Sequence, residues 1–132
     1  MYPFKGTVGS DFWVCLEQLV ESCPVIIDRP KGSTHPNYPD VIYPLDYGYL
    51  QGTTSSDGAG IDVWHGSKND TLIKGVIITI DLYKHDLEVK ILLGCTEEEI
   101  LTIINFLNSG FMRARYISRN ERSKLNDNSV DS

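Results

Sequence analysis

Residues 72–93 limit most what this chain can fold into. Leu72 to Leu82 and Leu87 to Leu93 are runs rich in Ile, Val and Leu, with Lys84-His85-Asp86 between them. β-Branched side chains suit a pleated strand, and short polar clusters turn the chain, so the stretch reads as two strands joined by a turn. Similar runs stand at Val25-Ile26-Ile27, Tyr43 to Leu50 and Ile61 to His65, separated by Ser56-Asp57-Gly58 and Ser67-Lys68-Asn69-Asp70. Five such strands in 132 residues predict a small barrel.

Two helices are expected beside it. Phe12, Trp13, Leu16, Leu19 and Val20 recur at helical spacing after a capping Ser10, and Pro24 ends the run. This helix is expected to lie against the sheet. Thr96 with Glu99 forms a capping box that opens a helix carrying Ile100, Leu101, Ile103, Ile104 and Leu107, stopped by Asn108-Ser109-Gly110. Lys31 to Asp40 reads as a long loop. Trp13, Trp64, Tyr83 and Phe106 are assigned to the core, and His65 and His85 to the surface. Residues 1–117 make one domain. From Ser118 to Ser132 the chain is polar with little to bury, and a flexible tail is expected.

Twelve Lys and Arg against eighteen Asp and Glu give a formal charge of -6, which disfavours nucleic acid and anionic membrane as partners and suits divalent cations. No apolar run approaches the roughly 20 residues of a membrane span, and the start lacks a signal-peptide pattern. A cytoplasmic location is expected. Cys15, Cys23 and Cys95 have neither disulfide-framework nor zinc spacing and read as idle thiols.

The acidic residues carry the chemistry. In Asp57-Gly58-Ala59-Gly60-Ile61-Asp62 one carboxylate sits in a Gly-rich turn and another at a strand start, and Asp81 and Asp86 repeat the arrangement around the next turn. Four carboxylates could converge there if the two turns are neighbours, and cations would then remove their mutual repulsion. An all-oxygen set is what magnesium prefers. Asp also favours turns for its own backbone bonding, so ordinary strand-end aspartates remain the other reading.

Three segments in order narrow the choice: Ile27-Asp28-Arg29, Tyr43-Pro44-Leu45-Asp46-Tyr47-Gly48-Tyr49, and Asp57-Gly58-Ala59-Gly60-Ile61-Asp62-Val63. They resemble the core of family I soluble inorganic pyrophosphatases, over about the central half of the chain, in a short branch lacking most of the N-terminal arm. The resemblance implies a mainly β fold with flanking helices, built on a five-stranded OB-type barrel. It implies magnesium, with manganese as a substitute, held by Asp57, Asp62, Asp81 and Asp86, with Asp62 bridging two ions. Arg29 matches a phosphate-binding arginine and Tyr47 a tyrosine that bonds substrate. The family's lysine falls near Glu88 by direct count, so Lys90, on the same strand face, is its expected substitute. The implied reaction is hydrolysis of inorganic diphosphate to two orthophosphates, in a homo-oligomer.

The chain departs from the family where a further acid is replaced by Ala59, and Asp46 is the candidate base in its stead. The family's Tyr-Lys pair after its long helix falls on Gly110-Phe111 or Phe111-Met112, where Arg113 or Arg115 could replace the charge. The loop holding Lys31 and His35 could act as a lid over phosphate. Two alternatives stay open: a phosphoanhydride hydrolase for a larger, nucleotide substrate, and a non-catalytic metal- and phosphate-binding barrel. Nucleic-acid binding ranks last, because the candidate face is acidic.

Overall fold

The computed structural model describes residues 7–9 and 11–120. The expected cap Ser10 and residues 121–132 of the expected tail lie outside them. Helix α1 spans Phe12–Ser22 and is capped by Asp11, whose carboxylate accepts the Val14 N–H at 2.9 Å. Strands follow at β1 (Val25–Arg29), β2 (Thr34–His35), β3 (Tyr38–Ile42), β4 (Asp46–Leu50), β5 (Ile61–His65), β6 (Ile73–Asp81) and β7 (Asp86–Leu93), then helix α2 (Glu97–Leu107) and β8 (Met112–Ser118).

The fold is mainly β with two helices. One six-stranded sheet has the order β1-β4-β5-β7-β6-β8, and β2 and β3 form a separate pair. Every pairing in the large sheet is antiparallel except β5 with β7, which run parallel. The polypeptide between those two is used up by β6, which returns antiparallel beside β7.

Val63-Trp64 of β5 and Ile91-Leu92-Leu93 of β7 are apolar because they are buried on both sides, with each helix covering one of those sides. Trp64 and Leu92 pack with Ile77, Ile100, Ile103 and Leu107, the layer under α2. Their strand neighbours Val63, Ile91 and Leu93 pack instead with Val20 and Leu50, with Trp13, Leu16 and Leu19 of α1 laid against them. Burying one such aliphatic side chain contributes about 1.5–3 kcal/mol, so these two layers hold the sheet. The capping box forms as expected: Glu99 Oε1 accepts the Thr96 N–H at 2.9 Å and Thr96 Oγ1 accepts the Glu99 N–H at 3.1 Å.

Four expectations change. Tyr43 to Asp46 is not continuous strand, because Pro44 has no N–H for a ladder and Tyr43 exchanges bonds with the 31–40 segment, Gly32 N–H to Tyr43 O at 2.8 Å and Tyr43 N–H to Ser33 O at 2.9 Å. That segment is itself the β2–β3 hairpin rather than a plain loop. β8 was not anticipated. Ser118, assigned to the tail, pairs with Gly75, and Arg119 donates its N–H to Lys74 O at 2.7 Å and binds Glu17 at 2.8 Å, so both belong to the folded body.

Candidate active site

Strand alternation delivers the site. Residues on one face of a strand recur every second position, and Asp62 pairs with Lys90, Thr79 with Glu88, and Asp81 with Asp86. Lys90 and Glu88 therefore share the face of Leu92, beyond the edge of the layer under α2. Tyr47 of β4, paired with Trp64 of β5, joins them.

At the centre lies Lys90, 4% exposed. Its ammonium donates to Tyr47 Oη at 2.8 Å, Asp62 Oδ2 at 2.9 Å and Glu88 Oε1 at 3.1 Å. Three donors meet three oxygens, so the buried charge is fully partnered. Burial opposes the ammonium, yet Tyr47 and Asp62 outweigh it and hold the Lys90 pKa above its ordinary value. Burial likewise pushes the Tyr47 phenol up, with Lys90 offsetting only part, so Tyr47 keeps its proton at neutral pH.

Glu88 was not foreseen as a site residue. Burial raises its pKa, Lys90 only partly opposes this, and a hydrogen bond with Asp57 raises it further. Asp57 moves the other way, lowered by the Ser55 hydroxyl, the Ala59 amide and Glu88. The two acids are thus shifted in opposite directions. Asp57 is in turn fixed by its own loop, accepting the Ala59 N–H at 2.9 Å.

Arg29 enters from β1, where a register shift between Ile27 and Arg29 turns its side chain toward the same cleft. Its guanidinium donates to the Tyr43 hydroxyl and lies 5.4 Å from the Tyr43 ring centre. The cleft, about 1200 Å³, is lined by Arg29, Tyr47, Asp62, Glu88 and Lys90, by Ala59, and by His35 of the hairpin. His35 Nδ1 accepts the Asn37 N–H at 3.0 Å. Partial burial and the charges of Arg29 and Lys84 lower its pKa, so the ring is neutral at pH 7.

The remaining residues fall elsewhere. Asp46 accepts the Lys31 N–H at 2.8 Å at the start of the hairpin segment, and neither residue is among those lining the cleft. Asp81 lines the cleft, but its Oδ1 accepts the N–H groups of Tyr83 and Lys84 at 2.9 and 3.0 Å, the ordinary turn role of Asp. Asp86 is two residues, about 7 Å, beyond Glu88 along β7 and lies outside the cleft. Among the described residues, no three His, Cys, Asp or Glu stand close enough to hold one metal ion, so the four aspartates do not converge as a ready-made cage.

Magnesium needs no such cage. It takes one or two carboxylates and completes its shell with water and substrate phosphate. Asp57 and Glu88 are both oxygen donors and stand near enough for each to shift the other's pKa, Glu88 lining the cleft and Asp57 lying outside that lining. Asp62 stands beyond Glu88 across the Lys90 ammonium.

No family model and no curated protein matches this chain. Among the described residues no helix is long and apolar enough to cross a membrane.

Proposed function

We propose that this protein is a magnesium-dependent phosphoanhydride hydrolase that splits inorganic diphosphate into two orthophosphates. The observation that carries the reading is the buried Lys90 ammonium held among Asp62, Glu88 and Tyr47 in the same cleft as Arg29. Cations set beside carboxylates suit a substrate that is itself polyanionic and is brought in by a divalent cation.

Arg29 would grip one phosphoryl group with its guanidinium fork, and Tyr47 would donate its hydroxyl proton to a phosphate oxygen. Magnesium at Asp57 and Glu88 would supply charge neutralisation and a more acidic water. Attack forms a bond from the water oxygen to one phosphorus while the bond from that phosphorus to the bridging oxygen breaks. The proton of the water passes to Asp62, and the bridging oxygen leaves on the second orthophosphate, its charge met by Lys90 and Arg29. Ala59 cannot take a proton, and Asp46 is off the cleft, so Asp62 is the base in this scheme.

We read the order β1-β4-β5-β7-β6, with its one parallel pair, as a partly open OB-type barrel extended by β8. The free thiols of Cys15, Cys23 and Cys95 are in keeping with action in the cytoplasm.

The test is orthophosphate release from diphosphate with millimolar magnesium. Release that stops with chelator and with Asp62→Asn is the expected result; no release at any magnesium concentration overturns it. The size of the cleft favours a second reading in which the phosphoanhydride belongs to a larger molecule.

A further inference from the structure

Tyr83 was expected in the core, but it stands in solvent, 74% exposed, beside Phe111 at 64%. Their rings stack with centres 5.8 Å apart and planes 30° from parallel. Both line the same cleft as Arg29 and Lys90.

The pair is built in place. Asp81 holds the backbone of Tyr83 and Lys84, His85 closes the turn with a left-handed φ of 57°, and the Leu82 N–H donates to the Phe111 carbonyl at 3.0 Å. Backbone bonds thus fix the β6–β7 turn to the segment after α2 and present two aromatic faces together. Lys84, from the same turn, lines the cleft near enough to His35 for its charge to be felt there.

A diphosphate ion would occupy only the charged end of this space. At about 1200 Å³ the cleft exceeds the roughly 300–1,000 Å³ of sites for drug-sized ligands. We propose that the Tyr83–Phe111 pair is a base-stacking subsite, and that the cleft takes a nucleoside polyphosphate with its base on these rings and its phosphates toward Arg29 and Lys90. The proposal rests on the phosphoanhydride reading above for the reaction, while the stacking itself is independent of turnover. Every nucleobase has a π-face, so the subsite accepts purines and pyrimidines without reading hydrogen-bonding edges. Lys84, from the turn that carries Tyr83, adds a positive charge to the cleft lining.

Calorimetric titration with a non-hydrolysable adenosine triphosphate analogue and with inorganic tripolyphosphate, both with magnesium, tests it. The analogue is expected to bind about tenfold tighter than tripolyphosphate. Tyr83→Ala with Phe111→Ala is expected to erase that advantage and leave tripolyphosphate affinity unchanged. Both side chains are exposed, so the fold should survive, and Phe111→Leu, which keeps bulk but removes the π-face, should reproduce most of the loss. Equal affinities in the wild type, an advantage that survives the double substitution, or no binding of the analogue overturns the proposal. Binding of the analogue with loss on substitution, but no hydrolysis of any phosphoanhydride, upholds the subsite and strikes down the earlier reading alone.

Discussion

The Lys90 ammonium lies 2.9 Å from Asp62 Oδ2 across the parallel pairing of β7 with β5, on a side chain that solvent scarcely reaches. An unpartnered ammonium at that depth would shed its proton rather than stay charged. Its charge therefore depends on the oxygens of Asp62, Glu88 and Tyr47.

Lys90→Met is expected to cost about 3 kcal/mol in urea unfolding, because it strands the Asp62 and Glu88 carboxyls beside each other. If the chain hydrolyses diphosphate, phosphate release should also fall by at least roughly 100-fold. A variant as stable as wild type would mean that the cluster contributes nothing to the fold.

Glu88→Gln separates metal binding from folding. The amide keeps the volume and an oxygen for the Lys90 ammonium, so stability should change by less than about 1 kcal/mol. Magnesium affinity measured by calorimetry should drop about tenfold. Unchanged affinity would remove Glu88 from the site.

Asp46 tests an anchoring role against a catalytic one. Asp46→Asn keeps an oxygen for the Lys31 N–H and should leave turnover within about twofold, whereas Asp46→Ala should raise KM by releasing the hairpin. A loss of about 100-fold in kcat for Asp46→Asn would restore it as the base.

Acid should weaken the fold through Glu99. Partial burial acts to raise its pKa, but the Thr96 and Ser67 N–H groups prevail and hold it below the ordinary 4.5. A depressed folded pKa contributes stability that is present above the unfolded value and is lost as pH falls through the folded one. Urea midpoints should therefore fall below about pH 4.5 in the wild type, with Glu99→Gln less stable at pH 7 and flatter in this window.

Gly48 shows why the Tyr47-Gly48-Tyr49 run needs its glycine. A Cβ there would lie 1.8 Å from the carbonyl oxygen of Ile26, which is backbone and cannot swing away. Gly48→Ala should destabilise by more than about 3 kcal/mol by prying β1 from β4, read as an early thermal transition. A near-normal melt would mean that β1 shifts freely, and with it Arg29.

Much of this architecture is visible in local pattern. The α2 capping box and the β-branched runs of β6 and β7 are signals in which propensity, period and turn chemistry agree. β8 was missed because Arg113 and Arg115 were weighed only as replacements for a lysine's charge after the helix. In Met112-Arg113-Ala114-Arg115-Tyr116 the period is two, with Arg113 and Arg115 out and Met112, Ala114 and Tyr116 half-buried, and that alternation was the available signal. Lys90 was legible because it keeps the alternation of its strand. Glu88 on the same face was passed over as the place of a lost lysine, and its pairing with Asp57 spans residues too distant in sequence for local pattern to join. Tyr83 was misplaced because residue type said what it could do, and only the turn around it decided where it went.

The parallel pairing of β5 with β7 also sets a clock. Asp62 and Lys90 are 28 residues apart, and the segment between them must first run out, form the β6–β7 hairpin and return. Hairpins close in about 1–10 μs, while non-local pairing waits on loop-closure entropy. The charged site thus assembles only when that non-local pairing closes, however early the strands around it have formed.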